Sequence, residues 1–135
     1  IWQKMKKKGV LNSQISSIIA SIGHMDQITI CDAGYPIPQQ VERIDLALIP
    51  GVPDFLQVVK AVMEDLEVEK IILAEEIKEQ NPKVEKILLD LFKGIDVEYQ
   101  SHSEVKILSQ DSRAIIRTGE CTPYANIILV SGVTF

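Results

Sequence analysis

Apolar positions along this chain change their period as it proceeds, and the changes mark out elements. In "LNSQISSIIASIGH", residues 11–24, Ile15, Ile18, Ile19 and Ile22 fall at i, i+3, i+4 and i+7, the spacing of an amphipathic helix. Asn12 or Ser13 is placed to cap its start, and Gly23 suits a left-handed residue at its end. "QITIC" then reads as a short buried strand, and "DAGYPIP" as a turn, since glycine and two prolines cannot continue it. "RIDLAL" alternates like a second strand. A helix follows from about Asp54, with Phe55, Val58, Val59 and Val62 on one face.

The second half repeats this alternation. "VEKIILAEE" is a third strand, and "NPKVEKILLDLFKG" a third helix with Asn81 as cap, Pro82 at the first helical position and Gly94 past the end. "IDVEYQ" is a fourth strand. Ser101 with Glu104 three residues on is a capping-box pattern for a fourth helix, "SHSEVKILSQ". "RAIIRTGE" and "NIILVSGV" are two more strands, separated by the turn "CTPYA". Such alternation predicts an α/β fold: a single-domain three-layer α/β/α sandwich with a largely parallel, mixed sheet of about six strands.

Size and composition agree with one globular domain. A chain of 135 residues buries about two thirds of the surface its unfolded form would expose. Its 46% apolar and 24% charged residues are ordinary for a packed protein. A net charge of -5 without a basic stripe speaks against nucleic acid as a partner, and it disfavours anionic substrates. A neutral small molecule fits better. Cys31 and Cys121 lack CxxC spacing and sit beside apolar runs, so both read as buried free thiols of a reducing compartment. No apolar stretch nears the roughly 20 residues of a membrane span, and no signal-peptide core opens the chain. A cytoplasmic protein follows, with no membrane partner. Ile1–Lys4, ahead of Met5, read as a remnant of expression or a mis-set start, leaving a domain of residues 5–135.

Ligands of open α/β sheets bind beyond the carboxyl ends of strands. That rule selects "DAGYP", "QSHSE" and "GECTPYAN". No GxGxxG or GxxxxGK[ST] supports a nucleotide, and neither GxSxG nor HExxH occurs. What remains is His24, His102, Asp32, Tyr124 and Asn126, each with a plain structural role to set against a chemical one. His24 could be a cation at a helix C-terminus. His102 could be a first-turn residue, where the dipole favours a neutral ring. Asp32 could initiate the turn through its side chain, and Tyr124 and Asn126 could be core-edge and turn residues.

Together "GVLNS", "GHMDQITICDAGYPIP", "RIDLAL", "GVP", "AEEIK", "SHSE" and "IRTGECTPYANIILVSGVTF" resemble the ribose pyranase and fucose mutarotase family, from Met5 to Phe135. The "RTGECTPYAN" block favours the ribose branch. The resemblance implies an enzyme that interconverts pyranose and furanose forms of D-ribose, supplying ribofuranose for phosphorylation, with no cofactor and no metal. It implies a homo-oligomer, typically a decamer of two stacked pentamers, with sites between subunits. The catalytic histidine falls on His24, and the sugar-binding residues on Asp32, His102, Tyr124, Ala125 and Asn126. Tyr35 stands where leucine is common, a change expected to touch the pocket wall and not the chemistry.

The chemistry of the residues agrees. Opening a cyclic hemiacetal takes a proton from the anomeric hydroxyl and gives one to the ring oxygen, work suited to histidine near neutral pH. In this reading His24 protonates the ring oxygen while Asp32 orients the sugar or the imidazole. His102 binds a hydroxyl or shares the proton transfer, and Tyr124 and Asn126 fix other hydroxyls. The alternatives are a mutarotase for another monosaccharide such as fucose, and a non-catalytic sugar-binding component of ribose uptake. Two features point beyond one chain. "NIILVSGVTF" stays apolar to its last residue, so either an interface or the domain's own sheet must bury it. A five-residue strand is about 17 Å long, so His24 and Asp32 belong at its opposite ends, and the intersubunit sites that the resemblance implies would let one site combine His24 of one subunit with loops of its neighbour.

Overall fold

The computed structural model describes residues 6–135. The reading of Ile1–Lys4 concerns residues outside that range. The order is α1 (Ser13–Ser21), β1 (Gln27–Cys31), β2 (Arg43–Asp45), α2 (Phe55–Asp65), β3 (Val68–Ala74), α3 (Ile77–Gln80), α4 (Pro82–Leu91), β4 (Asp96–Gln100), α5 (His102–Ser109), β5 (Ala114–Arg117) and β6 (Ile127–Ser131). One six-stranded sheet runs β2-β5-β1-β6-β3-β4. β1–β5, β2–β5 and β3–β4 pair in parallel. β6 is antiparallel to both β1 and β3. The sheet is therefore mixed, as expected.

Strand alternation divides the core between two faces. Ile28 and Ile30 of β1, Ile71 and Leu73 of β3, and Ile127 and Leu129 of β6 pack with Phe55, Val59 and Val62 of α2 and Leu88 of α4. On the opposite face Ile72, Ala74, Ile128 and Val130 meet Val105 of α5. Cys31 and Ile115 meet Tyr35 and Val41 of the β1–β2 connection on their own patch. β1 and β6 are buried almost along their whole lengths because they are central strands.

Local signals decide most element ends. Asp54 and Gln57 form the full capping box of α2, and Ser101 Oγ accepts the Glu104 N–H at 3.1 Å to cap α5. Three expectations change. Gly23 does not end α1 in a left-handed conformation: Ile22 leaves the helix extended, and Met25 carries the positive φ of 74°. The reason is a turn over residues 23–26, in which the Asp26 N–H donates to Gly23 O at 3.2 Å. Met25 is its third residue, where type II turns need φ > 0. Asn81 precedes α4 without a side-chain cap, because its Nδ2 donates to Thr122 Oγ1 at 3.0 Å and Pro123 O at 2.9 Å. "RIDLAL" yields only the three residues of β2.

The cysteines are free, but only Cys31 is buried; Cys121 is exposed on the 118–126 loop. At the C-terminus the sheet buries Ile127–Ser131, while Val133 is 42% and Phe135 100% exposed. No helix among the described residues is long and apolar enough to cross a membrane.

Candidate active site

β1 delivers Asp32 to the carboxyl edge of the sheet, beside the loop that leads into β6. Asp32 Oδ1 accepts the Gly34 N–H at 3.0 Å, the side-chain turn that an aspartate here favours. Its own N–H donates to Asn126 Oδ1 at 2.9 Å, and the next residue, Ala33, donates to Glu120 O at 2.8 Å. Two loops far apart in sequence are thereby sewn together. Burial pushes the Asp32 carboxyl above its ordinary range, against the Gly34 N–H, the Asn126 amide and the nearby His102, which pull it down. A recess of about 320 Å³ opens at this point, lined by Asp32, Ala33, Gly34, Glu120, Thr122 and Pro123 among others. Its size is at the lower end for small-molecule sites.

His102 is the first residue of α5. Its backbone N–H, one of the donors that a helix start leaves free, is taken by both oxygens of Glu76 at 3.0 and 3.2 Å. The imidazole stands edge-on to Tyr124, with centroids 5.0 Å apart, and to Tyr35 at 6.0 Å. Desolvation, aided by Lys106, holds its pKa below the usual histidine value, while Glu76 and Asp32 pull the other way. A neutral ring at neutral pH follows, as its position in the first turn implies.

Tyr124 takes a left-handed φ of 56°, and just after it a three-residue turn centred on Ala125 lets the Asn126 N–H donate to Tyr124 O at 2.9 Å. Asn126 is fully buried rather than a surface turn residue. Ala125 is likewise fully buried, its methyl in the main core. Among the described residues, two buried side-chain polar atoms lack a hydrogen-bond partner: His102 Nδ1 and Asn126 Nδ2. Such atoms are costly unless something pairs with them. Both belong to the residues surrounding Asp32. Around one edge, then, stand a carboxyl shifted up, an imidazole shifted down, and an amide with a free donor. That set can hydrogen-bond the hydroxyls of a neutral sugar as both donor and acceptor.

His24 is not part of this cluster. It sits in the 23–26 turn ahead of β1, so the whole strand separates it from Asp32. Its Nε2 lies 2.9 Å from Glu69 Oε2, and both side chains are substantially exposed. The α1 carbonyls are not its partners, which removes the helix-cap role. Within one chain the structure thus brings together Asp32, His102, Tyr124 and Asn126, and leaves His24 apart.

Supporting residues escaped the sequence reading. Glu76 receives α5; Glu120 accepts the Phe55 N–H at 3.0 Å and the Thr122 hydroxyl at 2.7 Å, fixing the loop to the start of α2. Arg117 reaches from β5 to Ala33 O at 2.9 Å and pairs with Asp45 at 3.0 Å. Gly119 is required, because a Cβ there would lie 2.6 Å from Val52 O. The signal available was position: "AEEIK" and "RTGE" each follow a strand at its carboxyl end.

Comparison with known proteins identifies the family of the chain. The sequence profile described as the RbsD / FucU transport protein family matches residues 5–134. D-ribose pyranases of Photobacterium profundum and Cronobacter sakazakii are 49% and 53% identical, over 97% of this chain and all of theirs. The structure of Bacillus subtilis RbsD complexed with D-ribose superposes with a TM-score of 0.94 at 50% identity, covering 97% of this chain and 100% of that one. A fucose mutarotase from Streptococcus pneumoniae, solved with L-fucose, reaches 0.76 at 22% identity over 92% of this chain and 94% of its own; that likeness concerns the fold alone. The edge built by Asp32, His102 and the 118–126 loop is thus carried by a chain that belongs to the RbsD / FucU transport protein family.

Proposed function

We propose that this chain is a D-ribose pyranase, an isomerase that interconverts the six- and five-membered ring forms of D-ribose. The observation that carries the reading is the cluster at the sheet edge, Asp32 with the unpaired His102 Nδ1 and Asn126 Nδ2, in a chain about half identical to D-ribose pyranases from end to end. Starting from the pyranose, a base takes the anomeric hydroxyl proton, the C1–O5 bond breaks, and O5 receives a proton. The open aldehyde closes when O4 attacks C1, O4 loses its proton and O1 gains one. Nothing is oxidised or reduced, and protons balance within the sugar and its acid–base partners.

In this reading His24 of one subunit exchanges the proton at the ring oxygen, since it is half-exposed and free to reach a neighbour. Asp32, neutral His102, Tyr124 and Asn126 of the adjacent subunit hold the hydroxyls, with the Ala125 backbone beside them. The site is completed only in an oligomer, for which we take the decamer of two stacked pentamers. Support for assembly comes from the separation of His24 from the cluster and from apolar side chains left open, Phe135 foremost. The setting is cytoplasmic, where the furanose is handed on for phosphorylation.

Saturation-transfer NMR on ribose tests the reading directly. Purified protein should accelerate exchange between ribopyranose and ribofuranose signals, and should do so less for fucose. Ribose binding without any acceleration would support a non-catalytic carrier and sink the assignment.

A further inference from the structure

Tyr35 comes from the connection after β1, yet its side chain belongs to α5. It is only 6% exposed, and its hydroxyl lies 2.8 Å from Ser109 Oγ. The direction of that bond is fixed by a second one. Ser109 Oγ donates its single proton to Lys106 O at 2.9 Å, so the Tyr35 phenol is the donor to Ser109. Burial pushes the Tyr35 hydroxyl up to about 12, which keeps that proton in place at any working pH. Ser109 is seven residues after His102, two turns along the same helix face. With its tip held at Ser109, the Tyr35 ring extends back towards the start of α5 and meets the His102 imidazole at 81°. Tyr124 meets the same imidazole at 84°.

We propose that Tyr35 is a positioning residue for His102, one of two aromatic walls that fix the imidazole plane and aim its unpaired Nδ1 at a sugar hydroxyl. The proposal rests on the reading of the Asp32–His102–Asn126 cluster as the sugar site. Edge-on contacts between rings are worth about 0.5–1.5 kcal/mol each, beyond the area they bury. Two of them restrict a ring that has no bond at Nδ1 to hold it. The groups facing the imidazole are Asp32 from the end of β1, Glu76 from the end of β3, and Lys106 on its own helix. Asp32 and Glu76 favour its protonation; desolvation, to which the aromatic walls contribute, opposes it first, and Lys106 adds to that. A leucine at position 35 could fill the volume but could neither reach Ser109 with a hydrogen bond nor present a ring edge.

The chain holds only two histidines, which makes the test clean. Imidazole signals of the full-length protein are titrated by NMR in wild type and in Tyr35→Phe, Tyr35→Leu and Tyr35→Ala, the His102 signal being the one that His24→Ala leaves in place. The His102 midpoint should rise towards the ordinary histidine value in the order Phe, Leu, Ala, because each step admits more water. The acid limb of kcat/KM for ribose exchange should rise in the same order, and kcat/KM should fall about 2- to 10-fold in Tyr35→Ala, the loss of one ring contact. Tyr35→Phe keeps the ring and should retain most of the activity. A lower melting temperature with His102 and the pH profile unmoved in both Leu and Ala variants would overturn the proposal and leave Tyr35 a core residue. Should Tyr35→Ala fail to fold, Leu against Phe decides. The titration needs no turnover, so a wild type that fails to accelerate exchange would count against the function and not against this role.

Discussion

In the proposed reading the two ends of β1 carry the two kinds of group that a hemiacetal isomerase needs, and they are built in opposite ways. At the start of the strand, His24 rides on a tight turn, half in water, against a carboxylate that is itself exposed. At the far end, Asp32 and His102 lie among buried rings and amides, with polar atoms left unpaired and both acid–base equilibria displaced by loss of water. The first arrangement leaves a group free to move and to exchange protons. The second holds groups still at a cost in stability. A mobile proton carrier and a rigid binding surface are best made separately, and in the proposed reading assembly of copies brings them together.

Removing the mobile end is the sharpest way to break this contrast. His24→Ala should slow ribose ring exchange by about 10²–10⁴-fold, the usual worth of a general acid–base group. Stability should change by less than about 1 kcal/mol, because an exposed pair contributes little. Saturation transfer and thermal melting of the same sample read both numbers. Intersubunit sites make a further demand. Co-expressing His24→Ala with a chain in which Asp32 and His102 are both replaced should rescue about a quarter of the sites by random assembly. Sites built within single chains would show no rescue.

At the rigid end, Asp32→Asn keeps an oxygen for the Gly34 N–H but removes the charge. Activity should drop about 10- to 100-fold, in line with loss of a charged hydrogen bond to the sugar. Stability should move the other way. The folded carboxyl ionises at higher pH than the unfolded one, so folding of the wild type is progressively disfavoured as pH rises from the unfolded value, about 3.9, to the raised folded value. The variant escapes that loss. Its advantage in melting temperature should be nil in acid below the window, grow through it, and stay constant above. An advantage independent of pH would mean that Asp32 is not held against its own ionisation. Smaller again, Asn126→Ala should cost about 1–3 kcal/mol, because it strands the Asp32 N–H without its partner; denaturant unfolding measures it.

The same contrast explains what the sequence disclosed. Periodicity and caps located α2, α4, α5 and the central strands, since those signals are local. The strand ends pointed to "DAGYP", "SHSE" and "TPYAN", and the length of β1 already separated His24 from Asp32. The antiparallel sense of β6 follows from its short, helix-free approach through "CTPYA", too brief for a parallel crossover. What stayed hidden depends on contacts between distant segments. Nothing near Asn81 tells that its amide serves Thr122 and Pro123 instead of α4. Nothing near Tyr35 tells that it bonds Ser109, 74 positions away. The positive φ of Met25 displaced the role expected of Gly23, because the 23–26 turn is closed by Asp26, which also pairs with Arg113 at 3.0 Å.

The smallest effect tests whether the mobile end is as loosely built as its exposure implies. Glu69→Gln keeps a hydrogen-bond acceptor 2.9 Å from His24 Nε2 but removes the negative charge. Were the pair a structural tie, its loss would lower stability and the effect would survive added salt. Surface pairs of this kind contribute about 0–1 kcal/mol and are screened at a Debye length of about 8 Å in physiological salt. The variant should therefore melt almost with the wild type, and the small difference should vanish at high ionic strength. Exchange should fall by less than about 10-fold, since Glu69 orients the ring without taking the sugar's proton. A loss as large as that of His24→Ala would show that Glu69 shares the proton transfer, and the simple division between a free histidine at one end and a fixed cluster at the other would have to give way.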